Sequence, residues 1–209
     1  MNALMLLKTD HRTVAQLFDE ILGTNAKSKK QSLIKKIVKE LSVHAAVEEQ
    51  VFYPAVRDAV DDAEDEVLEA LEEHHIVKWV LSELEKMTPD DERFDAKVKV
   101  LCETVTHHVK EEETKLFKLV RKHMDHRALD ELGRAMAAAK KVAPTHPHPR
   151  APDAPPGSFV AGIGAGLIDR ARDAVRGLAK AEPRPRRGAS GRAKKIAAKP
   201  TARVSNHQR

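Results

Sequence analysis

Six side chains in the first 112 residues combine metal-binding chemistry with a place on an apolar helix stripe: His11, His44, Glu48, His74, His108 and Glu112. They fall into two kinds of unit. His11 and His74 stand alone, whereas His44 and Glu48, and again His108 and Glu112, are four residues apart. Residues at i and i+4 share one face of a helix, so each pair can present a ring nitrogen and a carboxylate in the same direction. Mixed imidazole and carboxylate ligation suits iron, manganese or zinc. Six ligands are too many for one tetrahedral zinc and too few to saturate two octahedral ions. The arithmetic favours a dinuclear site with open positions, with carboxylates central and imidazoles outside.

The elements that must position these residues are helices, and they repeat. "DHRTVAQLFDEI" from Asp10 aligns with "EHHIVKWVLSEL" from Glu73, and "HAAVEEQVFYPAV" from His44 aligns with "HVKEEETKLFKLV" from His108. Each of the four segments carries an apolar stripe at helical spacing. The stripe runs through Leu7, Val14, Phe18 and Ile21 in the first and Ile37, Leu41, Val51 and Phe52 in the second. In the third and fourth it runs through Val67, Val77, Leu81 and Leu84, and Val98, Leu101, Val105 and Leu116. Every stripe is interrupted near its middle, and only by the six His and Glu residues. Buried without partners, these groups would each cost on the order of several kcal/mol, and the carboxylates would protonate. A bound cation removes that cost.

The pattern predicts helices over about 2–22, 27–60, 63–87 and 88–122, with a shorter one from His126. Gly23 stops the first, Pro54 is expected to bend the second, and Thr88 with Pro89 is the expected start of the fourth. Short connections make neighbours antiparallel, so the fold class is all-α: an up-and-down four-helix bundle with a short fifth helix. Low aromatic content and few glycines agree with helix over sheet. Residues 1–141 carry 23 Lys and Arg against 28 Asp and Glu, and residues 142–209 carry 14 against 4. The first segment reads as the metal-binding bundle. The second reads as a Pro-rich, unpacked linker, a weak amphipathic helix over 158–179 and a disordered basic end. A single cysteine, Cys102, excludes an intrachain disulfide. With no signal peptide read at the N-terminus and no apolar run of about 20 residues, the expected location is cytoplasmic, with no membrane span.

At these residues the sequence resembles the hemerythrin-like family over about residues 3–125. The six positions occur in the family's order, and "VFYPAV" and "KLFKLV" after the paired acids look like it as well. The resemblance implies a four-helix bundle around a non-haem di-iron centre, two iron ions with an oxo or hydroxo bridge. Glu48 and Glu112 would bridge them, His11 and His44 would serve one iron, and His74 and His108 the other. Oxygen-carrying members have a fifth histidine where this chain has Lys78, so the chain looks like the four-histidine branch. That branch implies reaction with a small oxidant (O₂, hydrogen peroxide or nitric oxide), as a peroxide- or nitric-oxide-consuming enzyme, or else a non-catalytic sensor or iron-binding module signalling through the basic tail.

The neighbours of the six have plainer readings. Lys78 either holds a solvent-derived ligand or extends outward, and the outward course is the expected one. Glu49 and Glu113, at i+5, point off the seam and are expected behind the ligands or on the surface. Tyr53 aligns with Phe117, so its ring is expected in the core, with its hydroxyl near the metals as the lesser alternative. His75, His107, His123 and His126 are expected at the surface, and Cys102 as a small buried hydrophobe. Residues 142–209 are expected to make at most weak, nonspecific contact with nucleic acid or acidic surfaces through charge. The sequence does not fix an oligomeric state.

Overall fold

The computed structural model describes residues 1–151 and 153, and among these every regular element is helical. Helix α1 spans Ala3–Leu22, α2 Lys27–Val47, α3 Tyr53–Ala59, α4 Glu64–Leu84, α5 Phe94–Glu111, α6 Phe117–His123 and α7 His126–Lys140. Two π-helical turns, Glu48–Phe52 and Glu112–Leu116, join α2 to α3 and α5 to α6. The bundle is therefore four rods: α1, α2–α3, α4 and α5–α6. No helix among the described residues is long and apolar enough to cross a membrane.

Local chemistry accounts for the ends. Asn2 caps α1 by accepting from the Met5 amide at 2.9 Å, and the helix stops at Gly23. Asp125 caps α7 in the same way through the Ala128 amide at 2.8 Å. The expected start of the fourth rod at Thr88 is not observed. The Thr88 amide and hydroxyl both donate to Asp91, which closes a turn, and α5 begins only at Phe94. A cap that satisfies donors within its own turn need not lead straight into a helix.

Pro54 was expected to bend the second rod. The irregularity starts earlier, at Glu48, where the Tyr53 amide donates to the Glu48 carbonyl five residues back. The Phe117 amide does the same to Glu112. Proline is not the cause, because Lys118 stands at the matching place in the second turn. Pro54 sits at the start of α3, where a missing N–H is tolerated.

The apolar core is split in two by the His/Glu layer. One cluster includes Leu7, Val51, Phe52, Val56, Phe117, Val120, Leu132 and Met136. The other includes Phe18, Ile21, Ile34, Ile37, Leu81, Phe94 and Leu101. Helix α7 closes the first cluster by lying on α1 and on the Glu48–Phe52 turn. Gly133 permits that approach: a Cβ there would lie 2.5 Å from the Met1 carbonyl oxygen and 2.8 Å from the Ala3 nitrogen. Lys140 of α7 ion-pairs with Asp10 at 2.6 Å.

The Pro-rich run does not hang free over its described part. Ala143 and Pro147 are buried, His146 Nδ1 contacts Glu85 at 2.5 Å, and Arg150 lies over the Trp79 ring at 5.9 Å. The helix read over 158–179 and the basic end lie outside the described residues. Cys102 is half-buried rather than buried, beside Thr106.

Candidate metal centre

The polar layer is assembled from all four rods. His11 comes from the middle of α1, His44 from the last turn of α2, His74 from α4 and His108 from the end of α5. Glu48 and Glu112 are the first residues of the two π turns, where the wide turn departs from α geometry. All six are buried. The imidazoles sit as two pairs, with ring centroids 5.0 Å apart for His11 and His44 and 4.8 Å for His74 and His108. Ligand atoms of His11, His44 and Glu48 lie within 4.8 Å of one another, as do those of Glu48, His74 and His108. The two triads share Glu48, whose Oε2 is 3.1 Å from His44 Nε2 and 3.2 Å from His74 Nε2. Glu112 Oε2 is 3.2 Å from His11 Nε2.

These inward atoms are close without being hydrogen-bonded. Both oxygens of Glu48, both of Glu112, and Nε2 of His11 and His108 are buried with no hydrogen-bond partner. Native proteins rarely leave so many buried polar atoms unmatched in one place. Atoms that converge on common points instead of on each other are what a cation-binding layer requires, and the donor set of imidazole nitrogen and carboxylate oxygen fits such ions.

Three of the four outward nitrogens are hydrogen-bonded to carboxylates. His11 Nδ1 donates to Glu113 at 2.9 Å, His74 Nδ1 to Glu49 at 3.2 Å, and His108 Nδ1 to Glu73 at 2.7 Å. His44 Nδ1 faces Asp10 at 3.6 Å, a longer, purely electrostatic contact. A carboxylate on Nδ1 fixes the tautomer that leaves the Nε2 lone pair inward and makes it more basic. All four carboxylates come from a different rod than the histidine they hold, and they obey the repeat: Asp10 matches Glu73, and Glu49 matches Glu113.

Glu49 and Glu113, expected behind the ligands or on the surface, therefore stand behind histidines of other rods. Asp10 and Glu73 were missed by the sequence reading. Their signal was available, since each immediately precedes the lone histidine of its repeat. Lys78 does not extend outward as expected. It is 7% exposed, and Nζ donates to both oxygens of Glu49, at 2.8 and 3.0 Å. The unbalanced charge of buried Glu49 holds it in. Tyr53 is buried as expected, its ring 5.6 Å from that of His74, and its hydroxyl has no partner. Phe117 occupies the related place, stacked 6.1 Å from His11. His75, His107, His123 and His126 are exposed.

Charge in the layer is arranged unevenly. Burial, reinforced by the Glu112 charge, pushes Glu48 well above the usual carboxylate range. Burial works the same way on Glu112, but His11 outweighs it and brings the carboxyl to about 2. His11 is carried to about 9 against its own burial by that contact, whereas burial lowers His44 to about 4. Burial also opposes the charge on Glu49, yet His74 and Lys78 lower its pKa. Burial and the surrounding carboxylates raise Tyr53, which keeps its hydroxyl protonated. A cation binding here displaces protons, so uptake is favoured as pH rises.

The layer has two openings of different character. On the side of Val14, Leu41, Val77 and Val105, the four histidines face an apolar cavity of about 20 Å³. On the other side, acidic residues of α4 and α5 approach His108 and Glu112.

Fold and layer together define a helical-bundle protein built to bind metal cations. The hemerythrin HHE cation-binding domain family matches residues 2–120, and the chain belongs to that family. An uncharacterised hemerythrin-like protein of Schizosaccharomyces pombe is 30% identical over 165 residues, 78% of this chain and 81% of its own length. A DNA nickase of a Nostoc species is also 30% identical, over 140 residues; the match covers 67% of this chain but only 39% of the nickase. Among solved structures, a hemerythrin HHE cation-binding domain-containing protein of Mycobacterium kansasii shares the fold, with a TM-score of 0.59 at 21% identity, over 85% of this chain and 99% of that one.

Proposed function

We propose that the layer holds two iron ions and that the protein binds or consumes a small oxidant: O₂, hydrogen peroxide or nitric oxide. His11 and His44 would hold one ion, His74 and His108 the other, with Glu48 and Glu112 between them. The observation that carries this reading is the set of unpartnered inward atoms, shared through Glu48 between two histidine pairs. Such ions supply redox equivalents and Lewis acidity. The residues supply the rest. The four carboxylates behind the histidines fix ring orientation and donor strength. Valine and leucine side chains around the 20 Å³ cavity admit a molecule of about two non-hydrogen atoms and exclude larger reductants. The protonated Tyr53 hydroxyl offers a hydrogen bond or a proton on the carboxylate side.

Anaerobic reconstitution followed by iron analysis and optical spectra with peroxide, azide and nitric oxide tests the reading. Two irons per chain and new visible bands are expected. Less than one iron per chain would overturn it. A sensor or iron-binding module reporting through the tail shares this chemistry; it would show a stoichiometric spectral change without turnover.

A second reading has its own observation. One relative is named a DNA nickase, and residues 142–209 carry 14 Lys and Arg against 4 Asp and Glu. Incubating the full-length, metal-loaded protein with supercoiled plasmid tests it, and no nicking above that of metal alone removes it.

A further inference from the structure

The acidic opening is built differently from the apolar one, and the difference points to its traffic. Glu66, Glu69 and Glu73 of α4 face Glu111 and Glu112 across a narrow pit of about 10 Å³. That is room for about one water-sized particle, too little for an organic ligand. At its floor are His108 and Glu112, both buried. His108 Nε2 and both Glu112 oxygens have no hydrogen-bond partner. At its mouth, Glu73, the exposed His107 and Glu111 bring ligand atoms within 4.8 Å of one another. His107 Nε2 lies 3.9 Å from Glu73 Oε1 and 3.6 Å from Glu111 Oε2.

Glu73 belongs to both levels. Its Oε2 accepts from His108 Nδ1 at 2.7 Å, while Oε1 faces the mouth. One carboxylate thus touches the outer cluster and the wall of the buried layer. Lys115 stands at the same mouth, its Nζ 2.6 Å from Glu111 Oε1, and it feels Glu66 and Glu69 as well. Five carboxylates outnumber the ammoniums that act on them, those of Lys115 and Lys110, and leave the pit negative.

We propose that this pit is the port by which a divalent cation reaches the buried layer, with Glu73, His107 and Glu111 as a transit site and Lys115 as the charge that an entering ion displaces. The physical need is plain. A dication crossing an apolar bundle would lose its hydration with nothing in return. A chain of carboxylates running from solvent to Glu112 replaces that hydration step by step, and a negative cleft with low-dielectric walls raises the arrival rate of cations. Neutral oxidants have the apolar cavity on the other side, so the two routes are sorted by charge. The inference rests on reading the buried layer as a metal centre, and its test separates the two.

Metal-free, full-length protein is mixed with cobalt(II) at low ionic strength, and uptake is followed by stopped-flow absorbance and by final metal content. The double variant His107→Gln/Glu111→Gln is expected to load about tenfold more slowly and to reach the wild-type final content. Lys115→Met is expected to load several-fold faster, and Glu103→Gln, an exposed acid on α5 outside the pit, to load as wild type. Circular dichroism of the metal-free forms checks the fold. Rates within twofold of wild type for both the double variant and Lys115→Met would overturn the port and leave the centre standing. Equal slowing by Glu103→Gln would reduce the effect to net charge and also overturn the port. A double variant with lowered final content would mean that these residues keep the ion rather than pass it on, and would overturn the port. A wild-type protein that takes up no cobalt would overturn the centre itself.

Discussion

The first and second halves of the bundle carry the same parts in different surroundings. Each supplies a lone histidine, a His-x-x-x-Glu pair, a π turn opening at that glutamate, and an acid at i+5 that holds a histidine of the other half. In the first half every residue from Glu48 to Tyr53 is buried, and α7 lies over the turn. In the second half Thr114 and Lys115 are exposed and Glu113 is only partly covered. Glu49 is paired with buried Lys78, Glu113 with Lys8, whose side chain is 37% exposed. The repeat fixes the metal-facing geometry, and the covering decides which side of the layer is sealed and which is open. The two lysines do not occupy repeat-related positions, so charge balance behind the histidines was met separately in each half.

The largest effect is expected at the residue both triads share. Glu48→Gln should cut bound metal to half or less, measured by elemental analysis. It should also stabilise the metal-free protein by about 1 kcal/mol at neutral pH. The sign follows from the raised pKa of Glu48: its favourable contribution is full below the ordinary carboxylate range and is lost as pH rises through the raised value. The gain from the substitution should therefore grow with pH in urea unfolding of the chelated protein. A gain that shrinks with pH would contradict the arrangement.

Next comes the sealed half's lysine. Lys78→Met leaves Glu49 buried with only His74 as partner and should destabilise by about 3 kcal/mol, whereas Lys8→Met on the open side should cost less than about 1 kcal/mol. Equal costs in chemical denaturation would erase the difference in covering. Tyr53→Phe makes the two halves alike at that ring. It should leave metal content unchanged and, on the reading that the loaded protein consumes peroxide, lower that rate by about 100-fold, read by peroxide disappearance. The effect furthest from the layer is structural: Gly133→Ala pushes α7 off the start of α1 and should cost about 1 kcal/mol. Faster hydrogen exchange should follow at Glu48–Tyr53 and not at Glu112–Phe117.

Much of this was legible in the sequence because burial has a period. Leu, Val and Ile at helical spacing located the rods, and polar residues on those stripes located the layer. The four carboxylates behind the histidines were less visible because each reaches across to another rod. Spacing along one helix says nothing of Asp10 reaching His44 or Glu73 reaching His108. Lys78 was misjudged for a related reason: its direction is set by Glu49, 29 residues away. The π turns were hidden because a stripe read at 3.6 residues per turn absorbs one wide turn without losing its apolar character. The late start of α5 was hidden because Thr88 and Asp91 satisfy each other locally.

The division of the apolar core by a polar sheet of side chains has a consequence for how the molecule comes apart. Two hydrophobic clusters separated by the His and Glu layer are expected to open as two cooperative units, coupled through the rods that run through both. One contains the loops at 23–26 and 85–93; the other contains α7 and both chain crossings near Val60 and Met124. A cation bridging the layer would fasten these units into a single one.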